Sequence, residues 1–167
     1  EAVGLKLYLD ETFGDLTTRE PGALARLFEA WPGPGPIAIH GESPSIAMAL
    51  ALARRYGQRL HVCHVPHPDD LLAIDAARQA GAEVTCEVTP HHLFLDSTAL
   101  ERLGPYGQMK PPLVSPDDVA RFWERLDLVD AVASDHAPHS RAEKESAQPP
   151  PGVPGLETTL PLLLGAV

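Results

Sequence analysis

The sequence predicts a parallel α/β fold built from five βα units. Three observations carry this reading. Five short apolar runs, at residues 3–9, 36–42, 59–65, 83–89 and 130–135, alternate with helical stretches. No hairpin turn joins two of them, so successive strands are linked by crossovers and run parallel. The runs also end in polar, chemically capable residues, the pattern of a parallel sheet whose C-terminal edge carries a site. A complete (β/α)8 barrel takes about 250 residues. With 167 residues, the chain supplies either an open sheet or an incomplete barrel, as a single domain over residues 1–167.

The first strand, 3–9, alternates around Lys6 and gives way to a polar loop at 10–14. Pro21 lies just inside a helix with Leu24, Leu27 and Phe28 on one face, which the Pro/Gly run 32–36 terminates. The second strand delivers His40 at its exit. Ser43 is the expected N-cap of the next helix, with Pro44 at its first position and Gly57 closing it. On the third strand, period-2 spacing places His64 with Leu60 and Val62, and His61 and Cys63 opposite. Asp69 is expected to cap a helix running to Ala80. The fourth strand ends at Pro90-His-His92, a short helix follows over 96–104, and a proline-rich loop covers 106–113. Another helix spans 115–126. The fifth strand, 130–135, is expected to be buried, with Ala131, Ala133 and Asp135 on one face. A polar loop over 140–151 and a final apolar helix over 156–167 complete the chain.

Composition narrows the function. The 23 acidic against 13 basic side chains, a formal charge of −10, argue against nucleic-acid binding. No membrane-length apolar segment occurs, and only two cysteines, Cys63 and Cys86, sit inside apolar runs. The expected setting is the reducing cytoplasm, and the expected partner a small-molecule substrate.

The chemistry gathers at the strand exits, which deliver Lys6, His40, His64, His92 and Asp135 in chain order. Imidazoles and a carboxylate at one rim suit a borderline divalent cation, zinc above all. Lysine is a poor ligand as an ammonium, and on its own Lys6 reads as half of a rim ion pair. As a carbamate formed with carbon dioxide it would be anionic and able to bridge two metals. His61, His67 and His91 read as structural, and Cys63 as core packing that faces away from the site.

Four segments then carry a specific resemblance. Gly4-Leu-Lys-Leu-Tyr-Leu-Asp-Glu-Thr-Phe13, Glu87-Val-Thr-Pro-His-His-Leu-Phe-Leu95, Ala133-Ser-Asp-His-Ala-Pro-His139 and Pro149-Pro-Pro-Gly-Val-Pro-Gly-Leu-Glu-Thr158 resemble dihydroorotase of the amidohydrolase superfamily. The form most similar is the dihydroorotase domain of the multifunctional animal pyrimidine-synthesis protein. The likeness extends from about residue 3 to the end and includes the spacing between motifs.

That resemblance implies a partial (β/α)8 TIM barrel of the metal-dependent hydrolase type, comprising strands 4 to 8. It implies reversible closure of N-carbamoyl-L-aspartate to L-dihydroorotate at a two-zinc centre. Lys6 would be the carboxylated bridging lysine, and His40 and His64 ligands of the second zinc. Asp135 would bind the first zinc and shuttle the proton. His139, Pro151 and Gly152 would line the substrate pocket, Thr12 and Phe13 would belong to a mobile loop, and His92 matches a family histidine near the site. Two departures stand out. The family's His-x-His pair for the first zinc, with its nearby arginine and a later asparagine, has no counterpart here. Lys110-Pro-Pro-Leu-Val114 replaces the Asn-Pro-Pro-Leu-Arg of many bacterial relatives. Inactivity of this chain alone is therefore expected, together with homo-oligomerisation or association with an N-terminal barrel segment. The alternatives are a non-catalytic homologue that acts as a scaffold, or a hydantoinase- or allantoinase-type cyclic amidase.

Overall fold

In the computed structural model, which describes residues 2–12 and 14–166, five parallel strands lie side by side in chain order. They are β1 (Leu5–Tyr8), β2 (Ile37–His40), β3 (Leu60–Val62), β4 (Val84–Val88) and β5 (Ala131–Val132). The register sets Leu5 beside Ile37, Ile37 beside Leu60, and Leu60 beside Val84. Residues of equal parity therefore form continuous rows across the sheet.

One set of rows is apolar and buried: Leu7, Ile39, Val62 and Cys86, flanked by Ile37, Leu60 and Val84. It packs under α1 (Pro21–Ala30), α2 (Ser43–Tyr56) and α3 (Pro68–Gln79), through Leu24, Phe28, Ile46, Leu50, Leu71 and Ile74. Phe122, from the connection between β4 and β5, joins the same core at 0% exposure. Burying each such large side chain contributes about 1.5–3 kcal/mol. The opposite rows carry Lys6, Ala38, His61, Thr85 and Glu87, and Lys6 and Thr85 are exposed.

This arrangement decides between the two sheet types. The strand order never reverses, and right-handed crossovers that all progress in one direction place their helices on one face. A doubly wound sheet would reverse and cover both faces. The chain is an arc of barrel wall whose inner face bears the polar rows.

The β4–β5 connection contains α4 (Pro90–Phe94), α5 (Ala99–Leu103), a 3₁₀ turn at Gly104–Gly107 and α6 (Pro116–Trp123). After β5 come α7 (Arg141–Lys144), within the expected polar loop, and α8 (Leu156–Leu164). An Arg78 clasp holds the short β5 to the sheet. Its guanidinium donates to Val84 O at 2.9 Å, to Leu128 O at 2.8 Å and to the Asp130 carboxylate, which in turn accepts from Cys86 N at 2.7 Å.

Several local expectations are corrected. Ser43 does not cap α2; Glu42 occupies that position, and the Ser43 hydroxyl donates to Asp70 at 2.9 Å. The α3 cap is His67, whose Nδ1 accepts from Asp69 N at 3.2 Å. Asp69 instead pairs with Arg121 and Arg125, tying α3 to α6. The fifth strand is a two-residue edge and is not buried, since among the described residues one of its sides has no neighbouring strand, and Val132 is 38% exposed. On α8, Leu156, Leu160 and Leu164 are each more than 60% exposed.

Candidate active site

Backbone turns at the ends of two strands build the site. β3 stops at Val62, and His64 adopts φ +34°, a left-handed conformation uncommon outside glycine. The turn swings His64 out of the apolar row to which its parity assigns it. Its Nε2 then lies 3.0 Å from Nδ1 of His40, which exits the neighbouring β2, with ring centroids 4.6 Å apart. Asp135 follows β5 with φ +44°. Holding non-glycine residues in this region costs about 1–3 kcal/mol each, a strain that clusters at functional sites.

His40, His64 and Asp135 line one cavity of about 140 Å³, with Thr12 from the loop after β1 and Pro151 and Gly152 from the loop before α8. Tyr8, His91, Met109 and Lys110 complete much of its wall. A larger cavity of about 880 Å³ opens beside Trp31 and the Pro32–Gly35 turn, but among the described residues its only charged lining group is Arg59, already paired with Glu83 at 2.8 Å. The chemistry belongs to the smaller cavity.

Electrostatics prepare the two histidines as neutral bases. Burial, then the nearby Lys6 charge, lowers His40 to about 4. Burial, then His40 and Lys6, lowers His64 to about 2. Both rings keep their lone pairs at neutral pH, as metal ligation requires. The other nitrogen of each ring, His40 Nε2 and His64 Nδ1, is buried without a hydrogen-bond partner among the described residues. Two nitrogens on one tetrahedral zinc, at about 2.0–2.1 Å each, stand about 3.4 Å apart; the facing His40 and His64 nitrogens are close to that spacing. The donor set fits a divalent cation. Burial raises the Asp135 carboxyl above the usual range, against the lowering effect of Lys6.

Other expected residues fall as follows. Lys6 is on the inner face but does not line the cavity; its Nζ donates to Cys63 Sγ at 2.8 Å and lies 5.4 Å from the Tyr8 ring centre. Cys63 therefore lies on the same side as His61, as parity has it, but that side is the site side, which corrects its reading as core packing that faces away from the site. His139 Nε2 lies 3.0 Å from Pro151 O, beside the cavity loop. His92 is fully buried and both its nitrogens are engaged, by Thr89 Oγ1 at 2.7 Å and Pro111 O at 3.2 Å. It clips α4 to the proline-rich loop, whereas its neighbour His91 reaches the cavity wall. Phe13 lies outside the described residues.

A second cluster was not expected. His61, Cys63 and Glu87 bring one ligand-capable atom each to within 4.8 Å of one another on the inner face. Cys63 and then Glu87 push His61 up to about 9, and the His61 contact holds Glu87 below its usual range against the effect of burial. The sequence signal was the register itself, which places His61 and Cys63 on the inner rows with Glu87 diagonally opposite.

Comparison with known proteins decides the family. No family model matches the chain. It is 48% identical over 167 residues to the multifunctional protein CAD of Squalus acanthias, covering 99% of this chain and 7% of that protein. It is 46% identical over 129 residues to the dihydroorotase of Halobacterium salinarum, covering 75% of this chain and 29% of that protein. The chain is a dihydroorotase-like amidohydrolase segment. Solved structures agree with that assignment. The L-hydantoinase (dihydropyrimidinase) of Arthrobacter aurescens superposes with TM-score 0.88 at 28% identity, over 98% of this chain and 45% of that one. The inactive dihydroorotase-like domain of a Chaetomium thermophilum CAD-like multifunctional protein gives TM-score 0.77 at 28% identity, over all of this chain and 47% of that one. The dihydroorotase-like segment thus spans less than a third of either curated relative and under half of either solved chain.

Proposed function

We propose that this segment forms part of a zinc-dependent cyclic amidohydrolase that interconverts L-dihydroorotate and N-carbamoyl-L-aspartate in pyrimidine synthesis. The single observation that carries the reading is the His40–His64 pair, neutral, buried and convergent, with Asp135 on the same cavity wall. His40 and His64 would hold the cation, with a carboxylated Lys6 and Asp135 beside them. When bound, the zinc supplies Lewis-acid polarisation of the ring amide carbonyl.

The chain's own groups do the rest. In the hydrolytic direction, Asp135 takes a proton from the attacking water at its carboxylate and returns it to the departing ring nitrogen as the C–N bond breaks. A raised carboxyl pKa suits a group that must both accept and release a proton. Pro151, Gly152 and His139 position the substrate carboxylate, and Thr12 belongs to a loop that closes over it. Carboxylation of Lys6 requires its amine to leave the Cys63 sulfur.

The outer edge of β5, the outer edge of β1 apart from the Tyr8–Thr17 bridge, and the exposed leucines of α8 support closure of the barrel by a further segment or a second copy. The free thiols Cys63 and Cys86 fit a cytoplasmic setting. Among the described residues, no helix is long and apolar enough to cross a membrane. A non-catalytic role is a second reading, supported by the likeness to an inactive dihydroorotase-like domain. Zinc analysis and dihydroorotate hydrolysis by the full-length protein separate the two: at least one zinc with turnover supports the enzyme, and neither supports the scaffold.

A further inference from the structure

Three buried imidazole nitrogens lack hydrogen-bond partners among the described residues: His40 Nε2, His64 Nδ1 and His91 Nε2. The first two are the far nitrogens of the two rings whose facing nitrogens form the proposed cation site. His91 is a different case, because nothing in the reaction described so far uses it. Its ring is 8% exposed, it lies on α4 directly after Pro90, and it lines the same cavity as His40, His64 and Asp135. Consecutive residues of a helix point about 100° apart, so His92 turns into the protein and satisfies both its nitrogens while His91 meets the cavity. The two rings pack with centroids 4.7 Å apart, which fixes the orientation of His91 against an anchored neighbour. A buried polar atom left unpaired in a native structure calls for a partner, and a cavity ligand is the partner within reach.

We infer that His91 is a substrate-binding residue whose Nε2 hydrogen-bonds the ring ureide of a cyclic substrate. A ureide presents both N–H and C=O groups, and a neutral imidazole can serve either as donor or as acceptor. Lys110, on the same wall, is a basic group suited to the anionic end of a substrate, which leaves the uncharged ring to His91. This inference rests on the cyclic-amide reading of the site.

The test uses the full-length, zinc-loaded protein and its His91→Phe and His91→Gln variants, with dihydroorotate as substrate. Loss of one hydrogen bond predicts an about 3- to 10-fold rise in KM for His91→Phe, with kcat and zinc content little changed. Glutamine, whose terminal amide reaches the position of Nε2, restores KM to within about threefold. In the wild type, the His91 Nε2 nitrogen-15 resonance shifts when dihydroorotate is added. An unchanged KM in His91→Phe, or an Nε2 resonance that ignores saturating dihydroorotate, overturns the inference while leaving the enzymatic reading intact. A wild type that binds zinc but does not turn over dihydroorotate overturns the reading of the reaction instead. The resonance with dihydroorotate, and with a hydantoin in its place, then decides His91 on its own: a shift with either supports it, and none with both overturns it.

Discussion

Replacing Gly152 by alanine should damage the substrate loop far more than the same change at Gly57. Gly152 holds φ +132°, where L-residues are rarely found, and an added Cβ would lie 2.7 Å from Ala137 O and 2.8 Å from Ala137 Cβ. Backbone strain costs about 1–3 kcal/mol, and forcing a methyl into a filled space about 1–3 kcal/mol more. The sum is about 2–6 kcal/mol. Gly57, at the end of α2, has φ +65° and open space within 4 Å of its would-be Cβ, so alanine there costs only about 1 kcal/mol. Urea unfolding of the two variants measures the difference directly, without relying on either absolute value. The same Cβ at 152 would lie 3.2 Å from His139 Nε2, so KM for dihydroorotate should rise in Gly152→Ala and stay constant in Gly57→Ala. Equal unfolding midpoints, with unchanged KM in both, would refute the proposed packing of this loop.

The remaining predictions concern charge and protons. Four buried histidines, at about 4 (His40), 2 (His64), 3 (His91) and 4 (His92), are depressed below the unfolded value of about 6.5. As pH falls from about 6.5 towards 4, the unfolded chain takes up protons that the folded chain refuses, so stability should decline over that window, as read by urea midpoints. His61 behaves in the opposite sense: raised to about 9, it contributes stability fully below about 6.5 that is lost as pH rises through 9, so His61→Gln should destabilise at pH 6 and have little effect at pH 10. Lys144 is 3% exposed and donates to the carbonyls of Pro105, Gln108 and Pro150. Lys144→Met should cost about 2–3 kcal/mol in chemical unfolding, because it strands carbonyls that fasten the substrate loop. His64→Ala should lower zinc content by mass spectrometry; undiminished zinc would count against its role as a ligand.

Much of the fold was legible because helix and strand periods are local properties. The alternation of apolar runs without hairpin turns implied a parallel sheet, and the observed order of β1 to β5 settled its barrel type. Side-chain direction was less legible where the chain leaves regular structure. Period-2 reasoning holds through Cys63, which shares the inner face with His61, and fails at His64, where φ +34° swings the ring off the row of Leu60 and Val62 and onto the site side. The pair His91 and His92 shows the same limit. Sequence reasoning sets His92 at the rim and His91 as structural, whereas the helical turn of α4 brings His91 to the cavity and buries His92. Burial of β5 was misjudged because an alanine-rich run reads as interior, whereas its exposure depends on whether another strand lies beside it. Caps were missed at Ser43 and Asp69, whose side chains found tertiary partners in Asp70, Arg121 and Arg125.

The central claim is that Asp135 moves the proton at a site held by His40 and His64. Its most direct test is the rate of dihydroorotate hydrolysis by the full-length, zinc-loaded protein and its Asp135→Asn variant, with zinc content measured on both. Asparagine preserves shape but cannot carry the proton, so kcat should fall by about 10²–10⁴-fold. An unchanged kcat in a correctly folded Asp135→Asn protein would contradict the account.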